Sequence, residues 1–262
     1  MEQDLTLARM LLPTLTPTRN EEFARQKNLL LAQDGRVSVH YAPFDHIVRT
    51  ARLVILGITP GLTQAVNAVN AAVEARDAGL PIEAVLEKAK MTASFSGGAT
   101  RANLVAMLDA IGVARRFGLT SAAELFRPGS TDVHFTSALR YPVLVDGKNY
   151  NGTPHMLKTP ILRRMVETWL AEEARLLPDA LWLPLGAKAE AAAAHLVQAG
   201  LLRGSRVLAG MPHPSGANAE RVAVFLGRKR PEDASPRTRP GPLIEAFARL
   251  SEQMATREGE SA

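Results

Sequence analysis

Hydrophobic and polar positions along this chain fall into blocks that predict strands followed by helices. The run Leu53–Leu56 is bulky, apolar and uncharged, which is typical of a strand buried on both faces of a parallel sheet. Similar runs predict further strands at 132–139, 180–185 and 207–209. Apolar residues at helical spacing predict helices at 20–32, 62–78, 82–90, 100–113, 159–174, 186–199, from 218 onward and at 242–256. This alternation indicates a three-layer α/β/α fold with a four-stranded parallel sheet.

The same blocks divide the chain into three units. Residues 1–50 are predicted to be an N-terminal helical lead-in, irregular from 33 to 50, and residues 51–227 to be the α/β core. Prolines and dense charge between 228 and 242 predict a mobile linker. An amphipathic pattern follows and predicts a C-terminal helix that packs on the core, so that 228–262 form the last unit.

Composition narrows the classes of protein to which the chain can belong. With 262 residues, 46% of them hydrophobic, it can form one substantial core. The absence of cysteine excludes disulfides, thiolate zinc sites and cysteine-bound iron–sulfur clusters. No apolar run is long enough to cross a membrane and the N-terminus is acidic, so we expect a cytoplasmic protein with no membrane partner. His40, Tyr41 and His46 lack metal-ligand spacing, and we predict no metal and no cofactor.

Two loops carry the candidate chemistry. The first, Gly57–Gly61, ends the first strand with the sequence GITPG, and the second, Met211–Asn218, follows the last strand with the sequence MPHPSGAN. Parallel sheets bind ligands at the carboxyl ends of their strands, and the helix N-terminus after such a turn favours anions. We therefore expect the strand tips, which include Thr59, Ser137 and His213, to converge on one pocket.

In this order and on strand tips, the two loops resemble the motifs of the uracil-DNA glycosylase superfamily. Gly57–Gly61 matches its Gly-x-x-Pro-Gly turn, and His213–Ser215 matches its His-Pro-Ser motif, which is followed by a DNA wedge. The resemblance covers roughly residues 50–226 and implies that family's fold. Two positions depart from the pattern. Thr59 stands where many members have Asp, Asn or Glu, and Ser137 stands where an Asn usually recognises the base.

The resemblance implies a monofunctional DNA repair glycosylase that flips uracil out of DNA and hydrolyses its N-glycosidic bond, leaving an abasic site. Its catalytic residues would be His213, which donates to the uracil O2, and Thr59, which holds the water. Asp132 or Asp146 is the alternative for the water. The base-binding residues would be Gly57, Ile58, Gly61, Phe95, Ser137 and Asn151, with Asn149 as an alternative to Asn151. The DNA-binding residues would be Ser94, Ser96, Arg101, Ser215, Gly216, Ala217 and Asn218.

The implied partner is uracil-containing DNA, single- or double-stranded, bound by a monomer. The formal net charge of +5 suits this partner and suits an ordinary basic protein equally well.

Three alternatives stay open. The same fold can release another deaminated base, hypoxanthine or xanthine. Thr59 favours a non-catalytic module that binds flipped or abasic nucleotides. The Gly57–Gly61 turn alone favours a nucleotide-binding protein. That last alternative leaves the His213 loop unexplained.

Overall fold

The computed structural model describes residues 3–256; residues 1–2 and 257–262, which belong to the predicted terminal units, lie outside the described residues. The strands are β1 (Leu30–Asp34), β2 (Val37–His40), β3 (Leu53–Gly57), β4 (Val133–Ser137), β5 (Val143–Val145), β6 (Lys148–Asn149) and β7 (Leu181–Pro184). The α-helices are α1 (Thr6–Leu11), α2 (Asn20–Phe23), α3 (Leu62–Asp77), α4 (Ile82–Ala93), α5 (Thr100–Ala110), α6 (Val113–Arg116), α7 (Pro160–Met165), α8 (Ala171–Leu176), α9 (Ala187–Gln198), α10 (Ala219–Phe225) and α11 (Pro240–Thr256). Across the described part of the chain, no helix has the length and apolar character that a membrane crossing requires.

The parallel sheet has the strand order β4-β3-β7, with β3 at its centre. Every residue of β3 is buried, as predicted for a strand covered on both faces. Val54 and Leu56 pack into one hydrophobic cluster with α3, α4 and α9. Leu53 and Ile55 pack into a second cluster with α5, α10 and α11. The predicted arrangement of helices on both faces of a parallel sheet is therefore present.

The fourth predicted strand, at 207–209, does not form a ladder. Val207 makes a single parallel bridge to Trp182, and Met211 makes another to Leu185. Gly210 lies between the two bridges with a φ of 111°, a left-handed conformation that interrupts extended backbone. The segment therefore runs beside β7, as expected, but the laddered sheet has three strands rather than four.

A second sheet, with the antiparallel order β1-β2-β5-β6, was not predicted. The helix predicted at 20–32 ends at Phe23, and the chain then forms β1. The physical reason is pairing between strands, which overrides the helical propensity of the leucine-rich run. Asp-Gly steps turn both hairpins, with positive φ at Gly35 in the first and at Asp146 and Gly147 in the second.

The charged segment after α10 folds back on the core. Glu220 of α10 accepts hydrogen bonds from Lys229 Nζ, from the Ser235 backbone N–H and hydroxyl, and from the Thr238 hydroxyl. These hydrogen bonds hold the pKa of Glu220 well below its usual range. The segment predicted as a mobile linker is thus attached along its length, and α11 then packs against α10 through Phe225 and Phe247.

We expect Glu220→Gln to release this segment, because a neutral amide loses the charge that attracts Lys229 and part of its acceptor capacity. Limited trypsin digestion should cut the variant faster than wild type after Arg228, Lys229 or Arg237, with the far-ultraviolet circular dichroism unchanged. Glu232→Gln is the matched control, since this carboxylate is exposed and its one ion pair among residues 3–256 is with Arg230 at 3.5 Å. Equal digestion rates for all three proteins would contradict the assignment.

Candidate active site

A cavity of about 770 Å³ opens at the carboxyl edge of the parallel sheet. The loops after β3, α4, β4 and β6 and the segment that follows Met211 form its wall. Most of the predicted site residues line it: Gly57, Ile58, Thr59, Gly61, Ser94, Phe95, Ser96, Ser137, Asn151, His213, Ser215, Ala217 and Asn218. Arg101 and Gly216 do not. The expected convergence of the strand tips is therefore present.

The hydroxyl of Thr59 is hydrogen-bonded to backbone. Its Oγ1 donates to the Tyr141 carbonyl at 3.1 Å and accepts from the Val143 N–H at 3.2 Å. A hydroxyl has one donor and two lone pairs, so a single lone pair of Thr59 is left for a water molecule. The side chain chiefly joins the first motif to the start of β5.

The two aspartates considered for water activation lie away from the cavity. Asp132 precedes β4 at the amino edge of the sheet and accepts from Arg52 Nε at 2.9 Å. Asp146 lies in the exposed β5–β6 turn, where Arg36 forms an ion pair with it and lowers its pKa. Neither aspartate lines the cavity, so both alternatives are wrong on geometry.

Asn149 occupies the space beside Gly61. Its Oδ1 accepts from the Leu62 N–H at 2.8 Å, and a Cβ built on Gly61 would lie 3.4 Å from its Nδ2. The Gly61 N–H donates in turn to Gln64 Oε1 at 3.1 Å. These contacts fix the beginning of α3 and place an amide next to a glycine that leaves the cavity wall without a side chain.

Phe95 has a strained backbone at the cavity wall. Its φ is 51°, a left-handed value that a bulky residue rarely adopts. The ring lies edge-on to Phe135 at 5.8 Å between centroids, and its Cε1 lies 3.6 Å from the position of a Cβ on Gly57. Such strain is concentrated at functional sites, where the surrounding structure holds it in place. The ring is thereby fixed between the first motif and β4.

His213 lies in the second motif, half-buried, with a defined protonation state. Its Nδ1 accepts from the Ser215 N–H at 3.2 Å, which places the ring proton of the neutral form on Nε2. Burial lowers the pKa of His213 below its usual 6.5, so the ring is neutral at neutral pH. Gly186 packs against this loop with a φ of 81°, a left-handed value that favours glycine, and a Cβ there would be in ordinary contact with His213 Cβ at 3.5 Å. The result is an Nε2–H donor on the cavity wall.

Comparison with known proteins agrees with this geometry. A family model described as Uracil DNA glycosylase superfamily matches residues 44–235. The chain belongs to the uracil DNA glycosylase superfamily. The uncharacterized protein YoxB of Bacillus subtilis (strain 168) is 38% identical over 202 residues, which cover 76% of this chain and 78% of that relative. No solved structure gives a significant match to the chain.

Membership in the uracil DNA glycosylase superfamily confirms the predicted family and fold class. It implies glycosylase activity in general, with DNA as the substrate. The base that is released, the roles of individual residues and the absence of a cofactor remain predictions.

The hydroxyls predicted to contact DNA already have partners in this superfamily member. Ser96 Oγ accepts from Asn67 Nδ2 at 3.0 Å, and Ser215 Oγ accepts from Asn218 Nδ2 at 3.1 Å. Ser94 Oγ donates to the backbone carbonyl one helical turn earlier at 2.6 Å. These bonds fix the two loops at the mouth of the cavity. The hydroxyl hydrogens of Ser96 and Ser215 remain available to donate to a phosphate oxygen, whereas Ser94 has already donated its own.

Arg101 lies behind the cavity wall. Its Nη2 donates to the carbonyl oxygens of Met91, Thr92 and Ser94 at 3.3, 3.2 and 2.7 Å. The guanidinium also lies over the Phe126 ring, 4.9 Å from its centroid. Arg101 therefore fixes the segment that carries Phe95, and its predicted contact with phosphate has no support from its position.

Several cavity residues were missed from the sequence. They are Phe44, Lys90, Arg140 and Tyr150. Lys90 lies on the apolar face of α4, where the helical spacing that includes Val85, Leu86 and Ala89 predicts buried positions. A lysine among these buried positions could have indicated a site residue from the sequence, because a buried ammonium requires specific partners.

Buried ionic groups lie directly behind this part of the wall. Arg140, 2% exposed, donates from Nε to Glu173 Oε1 at 2.9 Å and from Nη2 to Glu172 Oε2 at 3.1 Å. His134 Nε2 lies 3.4 Å from Glu173 Oε2. Burial by itself raises the pKa of Glu173, but Arg140, His134 and Lys90 together outweigh burial and hold that pKa well below the usual range. Glu173 is therefore ionised and neutralises a cation that lines the cavity.

Proposed function

We propose that this chain is a monofunctional DNA glycosylase that hydrolyses the N-glycosidic bond of uracil in DNA and leaves an abasic site. The observation that carries the proposal is a neutral His213, with its proton on Nε2, on the wall of the cavity that the Phe95 ring also lines. The superfamily supplies the reaction class and DNA as the substrate. The two motifs support uracil as the base.

Binding begins with extrusion of the nucleotide, because a base inside a duplex cannot reach the cavity. The base stacks on Phe95, which contributes roughly 1–3 kcal/mol. Ser137 and Asn151 bind its Watson–Crick edge, and Asn149 beside Gly61 lies where a thymine methyl group would have to fit.

The proposed DNA contacts come from two loops. Ala217 and Asn218 fill the gap left by the extruded base, and Gly216 lets the backbone approach. Phosphates lie along Ser96 and Ser215, whose hydroxyls can still donate. Ser94, which was predicted to join them, already donates its hydroxyl and its N–H to the Lys90 carbonyl. Such contacts position the strand and carry no sequence information.

Cleavage of the bond between C1′ and the base nitrogen leaves the electron pair on the base and a cation on the sugar. His213 Nε2–H donates to the carbonyl oxygen on which negative charge develops, in a cavity where such a donor is far more effective than in water. Water then adds to C1′ and releases a proton to solvent. Thr59 can hold that water only through its remaining lone pair, which suffices for a strongly electrophilic cation.

One observation favours a second candidate function, a non-catalytic module that binds flipped or abasic nucleotides. Among the described residues, the cavity lining contains no carboxylate, and the hydroxyl of Thr59 is bonded to backbone. A protein of this kind would bind such DNA without releasing base.

Base release distinguishes the two candidates. We expect protein prepared from a host without its own uracil glycosylase to release uracil from an oligonucleotide with one internal deoxyuridine, and alkali to cleave the strand at that site. Matched strands with hypoxanthine, xanthine or thymine at that position test the base range. Binding to abasic DNA with no release from any strand would refute the glycosylase and support the binding module.

A further inference from the structure

Lys90 places a positive charge inside the cavity that the proposed reaction does not yet use. It lies in the last turn of α4, close in sequence to Phe95, and is only 3% exposed while lining the cavity. Its Nζ donates to the His46 carbonyl at 2.6 Å, which is the one hydrogen bond of Nζ among the described residues. An ammonium has three N–H donors, so two are available for a ligand.

Charged and titratable groups face Lys90 from the elements packed against it. They are Asp45, His46, His134, Arg140 and Glu173. Burial lowers the pKa of His46 to about 3 and that of His134 to about 4, so both rings are neutral at neutral pH. Burial also lowers the pKa of Lys90, to about 8, although Glu173 and Asp45 favour its charged form. Lys90 is therefore cationic below that pH.

The two carboxyl groups near this charge already have partners in the protein. Burial raises the pKa of Asp45, whereas that of Glu173 is lowered, so Glu173 is the carboxylate that balances Lys90. Asp45 accepts from the Tyr41 hydroxyl at 3.1 Å and from the Tyr141 hydroxyl at 2.5 Å, and Glu173 is paired with Arg140. Among the described residues, the cavity that Lys90 lines has no carboxylate in its wall. That wall suits a ligand rich in hydrogen-bond acceptors.

Thr136 supplies an independent sign of a ligand. Its side chain is 6% exposed and lines the same cavity, and its Oγ1 has no hydrogen-bond partner in the structure. A buried hydroxyl without a partner costs free energy, and a bound polar ligand relieves that cost. Thr136 directly precedes Ser137, the residue at the tip of β4 that stands in for the usual base-recognising amide.

We propose that Lys90 is a specificity-determining residue that donates to the keto oxygen on the inner edge of the extruded base. This inference rests on the proposed glycosylase function. An ammonium can only donate, so it pairs with the 4-keto oxygen of uracil or the 6-keto oxygen of hypoxanthine or xanthine. An exocyclic amine, as in cytosine or adenine, would leave it buried and unpaired. The substrate class is therefore the keto bases, and the same charge stabilises the departing base anion.

The test uses oligonucleotides that carry either uracil or pyrimidin-2-one, which lacks the 4-keto oxygen. Lys90→Met should slow uracil release about a hundredfold, the effect of removing one donor to developing charge. It should slow pyrimidin-2-one release much less than uracil release, since the variant then removes a nearby charge but no hydrogen bond to the base. Lys88→Met, on the same helix with an exposed ammonium, is the matched control and should behave as wild type.

A pH profile keeps the proposal testable if Lys90→Met folds poorly. Uracil release by wild type should fall as pH rises through about 8, where Lys90 loses its proton, and Lys90→Arg should move that fall to higher pH. If Lys90→Met slowed the release of uracil and of pyrimidin-2-one equally, its role would be merely structural. That result would overturn the inference but not the proposed glycosylase activity. A borohydride-trapped DNA adduct that depends on Lys90 would also overturn it, since the amine would then attack C1′. If wild type releases no base at all, the proposed function fails and the inference fails with it.

Discussion

His213→Ala is expected to slow uracil release by a factor of about 10²–10³, the effect of losing one oriented donor to a developing anion. The reason is geometric. The Ser215 N–H occupies Nδ1 and leaves Nε2–H as the donor of the ring, and alanine supplies no replacement. Single-turnover release from a uracil oligonucleotide measures the chemical step directly, with cleavage of abasic sites by alkali as the readout.

The matched control is His195→Ala, because this histidine lies outside the cavity and pairs with Glu167 at 3.0 Å. Its rate should equal that of wild type. Since burial lowers the pKa of His213, the His213-dependent rate should reach half of its neutral-pH value only below pH 6.5, the ordinary histidine pKa. Equal release by His213→Ala and wild type would place the chemistry outside the second motif.

Glu173→Ala is expected to lower the free energy of unfolding by about 3–5 kcal/mol, the usual cost of leaving a buried charge without its partner. Arg140 is 2% exposed and cannot turn toward solvent, and its remaining carboxylate partner is Glu172. Equilibrium urea denaturation measures the loss. Glu172→Ala is the control, because this half-buried carboxylate leaves the Arg140–Glu173 pair intact and should cost no more than about 1 kcal/mol.

The sign of the pH dependence follows from the depressed pKa of Glu173. Its stabilising contribution is complete above the unfolded-state value of about 4.5 and is lost as pH falls toward the lower folded-state value. The gap between wild type and Glu173→Ala should therefore narrow in acid. A gap that stays the same or widens below that pH would contradict the ion pair as its cause.

The convergence of the two motifs could be predicted because it depends only on topology. Parallel strands bring their carboxyl ends to one edge, so an apolar strand that ends at Gly57 and a late strand that leads to His213 must share a pocket. The Asp-Gly steps that end at Gly35 and Gly147 are also typical of β-hairpin turns. The leucine-rich run before Gly35 favoured a helix instead, so the hairpin was not predicted.

Other parts of the site could not be predicted because they depend on partners distant in sequence. The position of Lys90 is understandable only with Asp45 and Glu173 in place, and nothing near it in the sequence names them. The hydrogen bonds of Thr59 to the backbone at the start of β5 also cannot be inferred from the sequence, since any threonine on a strand tip could face water instead. Whether a lysine is buried, and whether a threonine hydroxyl is already hydrogen-bonded, is determined only once the fold has assembled.

The hydrogen bonds of Thr59 also bear on when the cavity forms during folding. They join residues that are 82 and 84 positions apart along the chain, and the second motif follows later still. Closing such long loops is entropically costly and comes after local structure has formed. A nascent chain on the ribosome therefore cannot engage DNA with a formed pocket until His213 has emerged.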